Sequence, residues 1–396
     1  MTFGLPALAF PRAGLPYNQM KPRVLLLLIA LVPGCGGDSG TGPAGVTSIE
    51  IEAAPALAVF MVNDSAYGSV IGRDRSGNVH FVGPVTWRST NPSLFSVDSI
   101  GLIIGKAAGS AILIATVGEL ADSLPVTVAG TRHRWPIVVS ETWSLAGSPH
   151  LVDGRLDVAR ASGGTAILTI EAGVTVVFTD TSGLTFGMNG AGLLRAMGTP
   201  GAPIILRDTA TTAIPGAWVG LTFRGRDSSE LHNVTLRGCG HSRLDNDAGC
   251  LVLGHYIFGP FPTVRLDNVT VERGAGGAVI VSRQSHFAAG SSGLTVRNMR
   301  GHIATLPARE AVAFPTASTF SANDTTEVRL LGDTLRDTAS WRPAIPWVVM
   351  GPVYVEGARQ PVLTIPAGIT LPFDFGASFV VGKNFPGELR VGSDGG

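Results

Sequence analysis

Charge is scarce in this chain of 396 residues: Asp, Glu, Lys and Arg make up 15% of it, and the two signs cancel. Such a balance leaves no basic stripe, and nucleic acid is not expected as a partner. Helical periodicity is missing as well. Beyond the N-terminal 34 residues no stretch repeats apolar side chains at helical spacing for three turns. Cysteine is limited to Cys35, Cys239 and Cys250, and no Cys-x-x-Cys or His-x-x-His spacing supports zinc. There is no Gly-x-Ser-x-Gly elbow for a serine hydrolase and no Gly-Lys-Ser/Thr for a phosphate loop. Adjacent Asp-Asp and Gly-His-Gly, which would suit glycoside hydrolysis, are also missing.

What is abundant is strand and turn chemistry. The chain has 52 glycines and 26 prolines among many Val, Ile, Leu and Thr, a composition of short strands and tight turns. The fold is expected to be all-β.

The N-terminal region reads as an address. Met20-Lys21-Pro22-Arg23 precedes the apolar run 24–32, too short to span a bilayer, and small residues follow. Val32-Pro33-Gly34-Cys35 resembles the lipobox of bacterial lipoproteins. That resemblance implies a signal peptide over 20–34 and lipid on Cys35, which would tether the protein to a membrane. Residues 1–19 fit no signal pattern and read as an upstream extension of the reading frame, and the Gly-rich 35–45 reads as a flexible tether. Gly36, rather than Asp, after the cysteine favours the outer membrane of the cell envelope. Without residues 1–34 the balance becomes 26 positive against 29 negative. With Cys35 lipidated, Cys239 and Cys250 remain as a pair in an oxidising compartment and are expected to bond.

Residues 46–129 alternate short apolar stretches with turn clusters at sandwich spacing. The segments are Asp74-Arg75-Ser76-Gly77-Asn78-Val79, Val85-Thr86-Trp87-Arg88-Ser89-Thr90-Asn91-Pro92, Ser96-Val97-Asp98 with Gly101-Leu102-Ile103, Ala108-Gly109-Ser110-Ala111 and Pro125-Val126-Thr127-Val128. In this order they resemble the group 2 bacterial immunoglobulin-like domain. The resemblance implies a β-sandwich serving as spacer or adhesion module, with Trp87 a core aromatic.

Residues 130–396 contain an internal repeat. Segments 148–201 and 345–396 share Leu-Thr-Ile-x-Ala-Gly-(Val/Ile)-Thr at 168–175 and 363–370, with matching landmarks Phe178/Phe373, Leu184/Phe379 and Leu194/Leu389. The second copy stops where the first continues through 203–206, so a longer natural chain is expected. Between the copies, Asn233, Asn268 and Asn298 each sit beside a Val/Thr/Leu strand, at gaps of 35 and 30 residues. The order LTIEAGVTVVF, GLLRAMGTPGAPIIL, GAWVGLTF, LHNVTLRGCG resembles right-handed parallel β-helix proteins of bacterial surfaces. The resemblance implies a solenoid whose aliphatics stack inward and whose asparagine amides can pair between coils. It is weakest over 307–344.

The densest polar cluster is His241-Ser242-Arg243-Leu244-Asp245-Asn246-Asp247, between Cys239 and Cys250. Asp245 and Asp247, with His241 nearby, could offer ligands to calcium, or the segment could be a solvated loop. Glu272 and Arg273 are candidate neighbours on a later coil. No cofactor is otherwise expected. Two functions remain open: a non-catalytic envelope lipoprotein, in which an immunoglobulin-like spacer presents a β-helix that binds a polysaccharide or a surface protein, or a surface-anchored polysaccharide lyase or glycoside hydrolase. The second requires carboxylates and a base on one face of consecutive coils.

Overall fold

Along its strands the chain alternates with period two: in Ser48–Glu52, Ile49 and Ile51 are buried while Ser48, Glu50 and Glu52 face water. The computed structural model describes residues 45–54, 56–57, 60–241, 249–254, 261–282 and 284–392. Cys35, Asp245 and Asp247 lie outside the described residues. Among the described residues strands dominate and helix is confined to short 3₁₀ turns such as Leu145–Gly147 and Ala308–Ala311, so the fold is all-β. Among the described residues no helix is long and apolar enough to cross a membrane.

Up to residue 128 the pairing is chiefly antiparallel. Ser48–Glu52 pairs with Ser69–Arg73, Phe95–Val97 with Leu102–Gly105, and Gly109–Val117 lies between Thr86–Ser89 and Leu120–His133. Ile51, Phe60, Phe95, Ile103, Leu113, Val126 and Val128 form one buried cluster. Trp87 packs half-buried against it, its ring so close over Gly68 that a Cβ there would stand 2.8 Å away.

Leu120–His133 changes partner along its length. Leu120–Val128 runs antiparallel to Gly109–Val117, and Thr131–His133 runs parallel to His150–Val152. A single strand therefore carries the chain across the domain boundary expected at 129/130. From Glu141 onward every strand-to-strand pairing among the described residues is parallel. The chain returns to each sheet one layer further on, after 35 residues from Glu230 to Arg265 but only 25 from Thr270 to Thr295. An eight-stranded parallel sheet starts at Arg155–Val158 and ends at Trp347–Val349. Residues 307–344, where the sequence pattern lapses, supply Thr319–Ser321 and Val328–Leu331 to the stack. One buried cluster runs from Ile137 to Ile365 and includes Trp143, Trp218, Trp341 and Trp347.

The sequence repeat is also a repeat of pairing. Leu156 pairs with Leu184 and Leu168 with Leu194 in the first copy; Val353 pairs with Phe379 and Leu363 with Leu389 in the second. Phe178 belongs to a strand, whereas Phe373 keeps only an isolated bridge to Val349. In both copies a carboxylate from the preceding layer holds a Gly-x-Asn loop. Asp157 accepts from the backbone of Met188 and Asn189, and Glu356 from the backbone of Asn384 and Phe385.

Candidate functional site

Six successive layers of one parallel sheet are joined in register here, and the inward residues of the third, fourth and fifth are aliphatic. Val234, Leu236, Val269, Val271, Leu294 and Val296 are all buried. The period of two then sends the residues between and after them outward, and parallel register stacks them into columns about 4.8 Å apart. One column is Thr175, Ile205, Thr235, Thr270, Thr295 and Thr319. The hydroxyls of Thr295 and Thr319 lie 3.1 Å apart. Two residues further on runs a charged column, Arg237, Glu272, Arg297 and Ser321, with Arg207 one layer before Arg237 beyond the Leu206–Leu236 pair.

Left-handed backbone bounds this face on both sides. On one side stand Asn233, Asn268, Gly293 and Ala317, with φ of 49°, 54°, 69° and 51°. On the other stand Gly238, Arg273, Asn298 and Ala322, with φ of 75°, 51°, 55° and 53°. Register places each set at equivalent corners of consecutive layers. Asparagine tolerates this conformation because its short polar side chain bonds locally. Asn233 and Asn268 thus share a corner, while Asn298 belongs to the other and stacks on Arg273. Among the described residues no hydrogen bond joins the three amides; Asn233 Nδ2 instead donates to Gly198 O at 3.0 Å.

The charged column is only partly neutralised. Glu272 is buried, with a side chain 4% exposed, and accepts from Arg237 through one oxygen and from Arg297 Nε at 2.6 Å through the other. Burial alone would raise its pKa, but the two guanidiniums prevail and lower it. Arg207 and Arg237 are neighbours of like charge with no carboxylate between their strands, an unfavourable arrangement. With Arg273 they line a recess of about 90 Å³ closed by Asp208, Ala210, Thr211 and Ala213. Arg207 donates to the carbonyls of Asp208 and Ala210, and Asp208 Oδ2 accepts from Ile214 N at 2.7 Å. Among the described residues neither Arg207 nor Arg273 has a carboxylate within ion-pair distance. The cluster holds four guanidiniums against two carboxylates, Asp208 and Glu272.

The expected cysteine bond is present: Cys239 and Cys250 are joined, with Cα atoms 5.0 Å apart. It borders the same face, since Gly238 N donates to Glu272 O and Ala275 N to Cys239 O. His241 is not free to ligate through Nδ1, which donates to Gly216 O at 2.6 Å, and its buried Nε2 has no partner among the described residues. Among the described residues no three His, Cys, Asp or Glu side chains are placed to hold a metal.

A second constellation lies around the Asn233/Asn268 corner. His232 Nδ1 is 3.2 Å from Asp267 Oδ2 and its Nε2 is 3.3 Å from Glu230 Oε2. Arg195 pairs with Glu230 at 3.0 Å. Two carboxylates and an imidazole from two layers thus share one face. They were not legible in sequence because Glu-x-His and Asp267 meet only through a 35-residue register. Compared with known proteins, the chain matches no family model and no curated sequence.

Proposed function

We propose that this protein is a lipid-anchored cell-envelope protein, attached through Cys35. Its antiparallel part is an immunoglobulin-like spacer and its parallel part a right-handed β-helix that binds a glycan or a surface protein. The observation that carries this reading is the outward threonine column, with arginines beside it, repeated over consecutive layers. Regularly spaced hydroxyl and guanidinium donors suit a linear polymer with many acceptor oxygens. The outer membrane is the proposed location, on the ground that Gly36 rather than Asp follows Cys35.

The test is binding of the full chain to a panel of immobilised neutral and acidic polysaccharides, beside a Thr235→Val/Thr270→Val variant. Retention of a polysaccharide, weakened several-fold in the variant, is expected; equal retention by both would remove the threonine face from the reading. A Cys35→Ala chain should leave the membrane fraction.

A second reading, a polysaccharide lyase or glycoside hydrolase, is favoured by Glu230, His232 and Asp267, which supply carboxylates and a base on one face of consecutive layers. Release of unsaturated or reducing ends, abolished in Glu230→Gln, would establish it; silence in the same incubations would dismiss it.

A further inference from the structure

Arg207 and Arg273, which no carboxylate pairs among the described residues, narrow the ligand. We infer that the recess between Arg207, Arg237 and Arg273 is a subsite for a carboxylate or sulfate group carried by an acidic glycan lying along the stacked layers. This rests on the glycan-binding reading above and names the class of glycan.

Three observations lead there. Arg207 and Arg237 extend from adjacent parallel strands with no carboxylate between them, while the next step of the column alternates sign through Glu272. Like charges lining one recess repel, and a bound anion turns that repulsion into attraction. Arg207 is also braced: its guanidinium donates to the carbonyls of Asp208 and Ala210, which leaves it positioned and still charged. Arg273 stands at a left-handed corner, φ 51°, that turns the chain at the rim of the recess. Arginine at such a position is unusual, and Gly, Asn or Asp would be less strained.

The recess accommodates a single acidic group, and its walls supply planar donors that match a carboxylate or sulfate. Asp208 lines the recess and keeps its charge, with Oδ2 accepting from Ile214 N, but among the described residues no guanidinium stands within ion-pair distance of it. The threonine column continues from the recess across later layers and offers hydroxyls to the uncharged part of the polymer. Positive charge at one end and hydroxyls along the rest would place the chain in one direction on the face.

The experiment is titration calorimetry of the full chain with four polymers: polygalacturonate, its fully methyl-esterified form, dextran sulfate and dextran. The charged member of each pair is expected to bind at least about tenfold more tightly, with affinity falling as salt is raised. Arg273→Gln and Arg207→Gln should each weaken the charged polymers by about tenfold. Arg359→Gln, an exposed arginine on another layer, should leave them unchanged. Esterified or neutral polymer binding as tightly as its charged counterpart would overturn the anionic assignment and leave glycan binding standing. Equal losses in Arg359→Gln and Arg273→Gln would overturn the placement at the recess. No binding to any of the four, together with no retention on the wider panel, would sink both. Because Arg207 also braces a turn, Arg273→Gln decides the matter if Arg207→Gln unfolds.

Discussion

Nε2 of His133 lies 3.0 Å from Nδ1 of His150, at the point where Leu120–His133 begins its parallel pairing. His150 Nε2 donates to Ser144 O at 2.9 Å, so its Nδ1 accepts from His133. Trp143 stacks on both rings, and Glu141 stands 3.5 Å from His133 Nδ1. Burial, and then the neighbouring His150, push His133 down to about 3; burial also lowers His150, against the Ser144 carbonyl and Glu171.

The unfolded chain therefore takes up protons that the folded one refuses. Stability contributed by these neutral rings is fully present above the ordinary histidine pKa of ~6.5 and is lost as pH falls below it. His133 alone should remove about 2 kcal/mol between pH 7 and pH 5. His302, pushed down to about 4 by burial and then by Arg329, acts in the same direction. Urea midpoints measured at the two pH values should fall accordingly, and less so in His133→Gln. A flat profile would contradict the buried neutral pair.

The repeated layers make a matched pair of glycines testable. A Cβ on Gly192 would stand 1.7 Å from Val158 O, and one on Gly387 2.0 Å from Val355 O. Either substitution by alanine must push two layers apart. We expect each to cost about 1–3 kcal/mol in chemical denaturation, as overpacking does elsewhere.

The opposite change should help at two corners. Ala317 and Ala322 hold φ of 51° and 53°, a conformation that alanine adopts only under strain. Ala317→Gly and Ala322→Gly should each raise stability by several tenths to about 1 kcal/mol, after the extra backbone entropy of glycine is subtracted. Thermal melts resolve a gain of that size, and a loss at both positions would refute the strain argument.

The Cys239–Cys250 bond closes a span of 11 residues. Replacing both cysteines by alanine should lower stability by about 2–3 kcal/mol, chiefly through the freedom returned to the unfolded chain. Both sulfurs belong to the buried cluster, so part of that loss will persist under reducing conditions, where dithiothreitol opens the bond of the parent and leaves the variant unchanged.

Strand identity was legible from local pattern because a period of two is a property of neighbours in sequence. Leu194 and Leu389 could be matched by eye between the two copies, and each pairs with the equivalent leucine of its own copy, Leu168 and Leu363. The three asparagines were visible too, but spacing alone made them look like one series. The interval of 35 joins Asn233 to Asn268 at a single corner, whereas the interval of 30 leads from one corner to the other. Neither the arginine recess nor the Glu230–His232–Asp267 group carries a sequence signature, since their members come from layers separated by loops of unequal length.

The sequence by itself determined the strand-rich class, the internal repeat and, by counting cysteines, the partners in the disulfide. Each of these follows from composition, alternation or counting within one stretch of chain. Only the tertiary structure decided which outward side chains stand one above another. That depends on hydrogen-bond register between layers, and loops between layers can lengthen or shorten without changing the strands they join. Arg207 beside Arg237, and Glu272 between Arg237 and Arg297, are therefore facts of register, and it is register that builds the charged face.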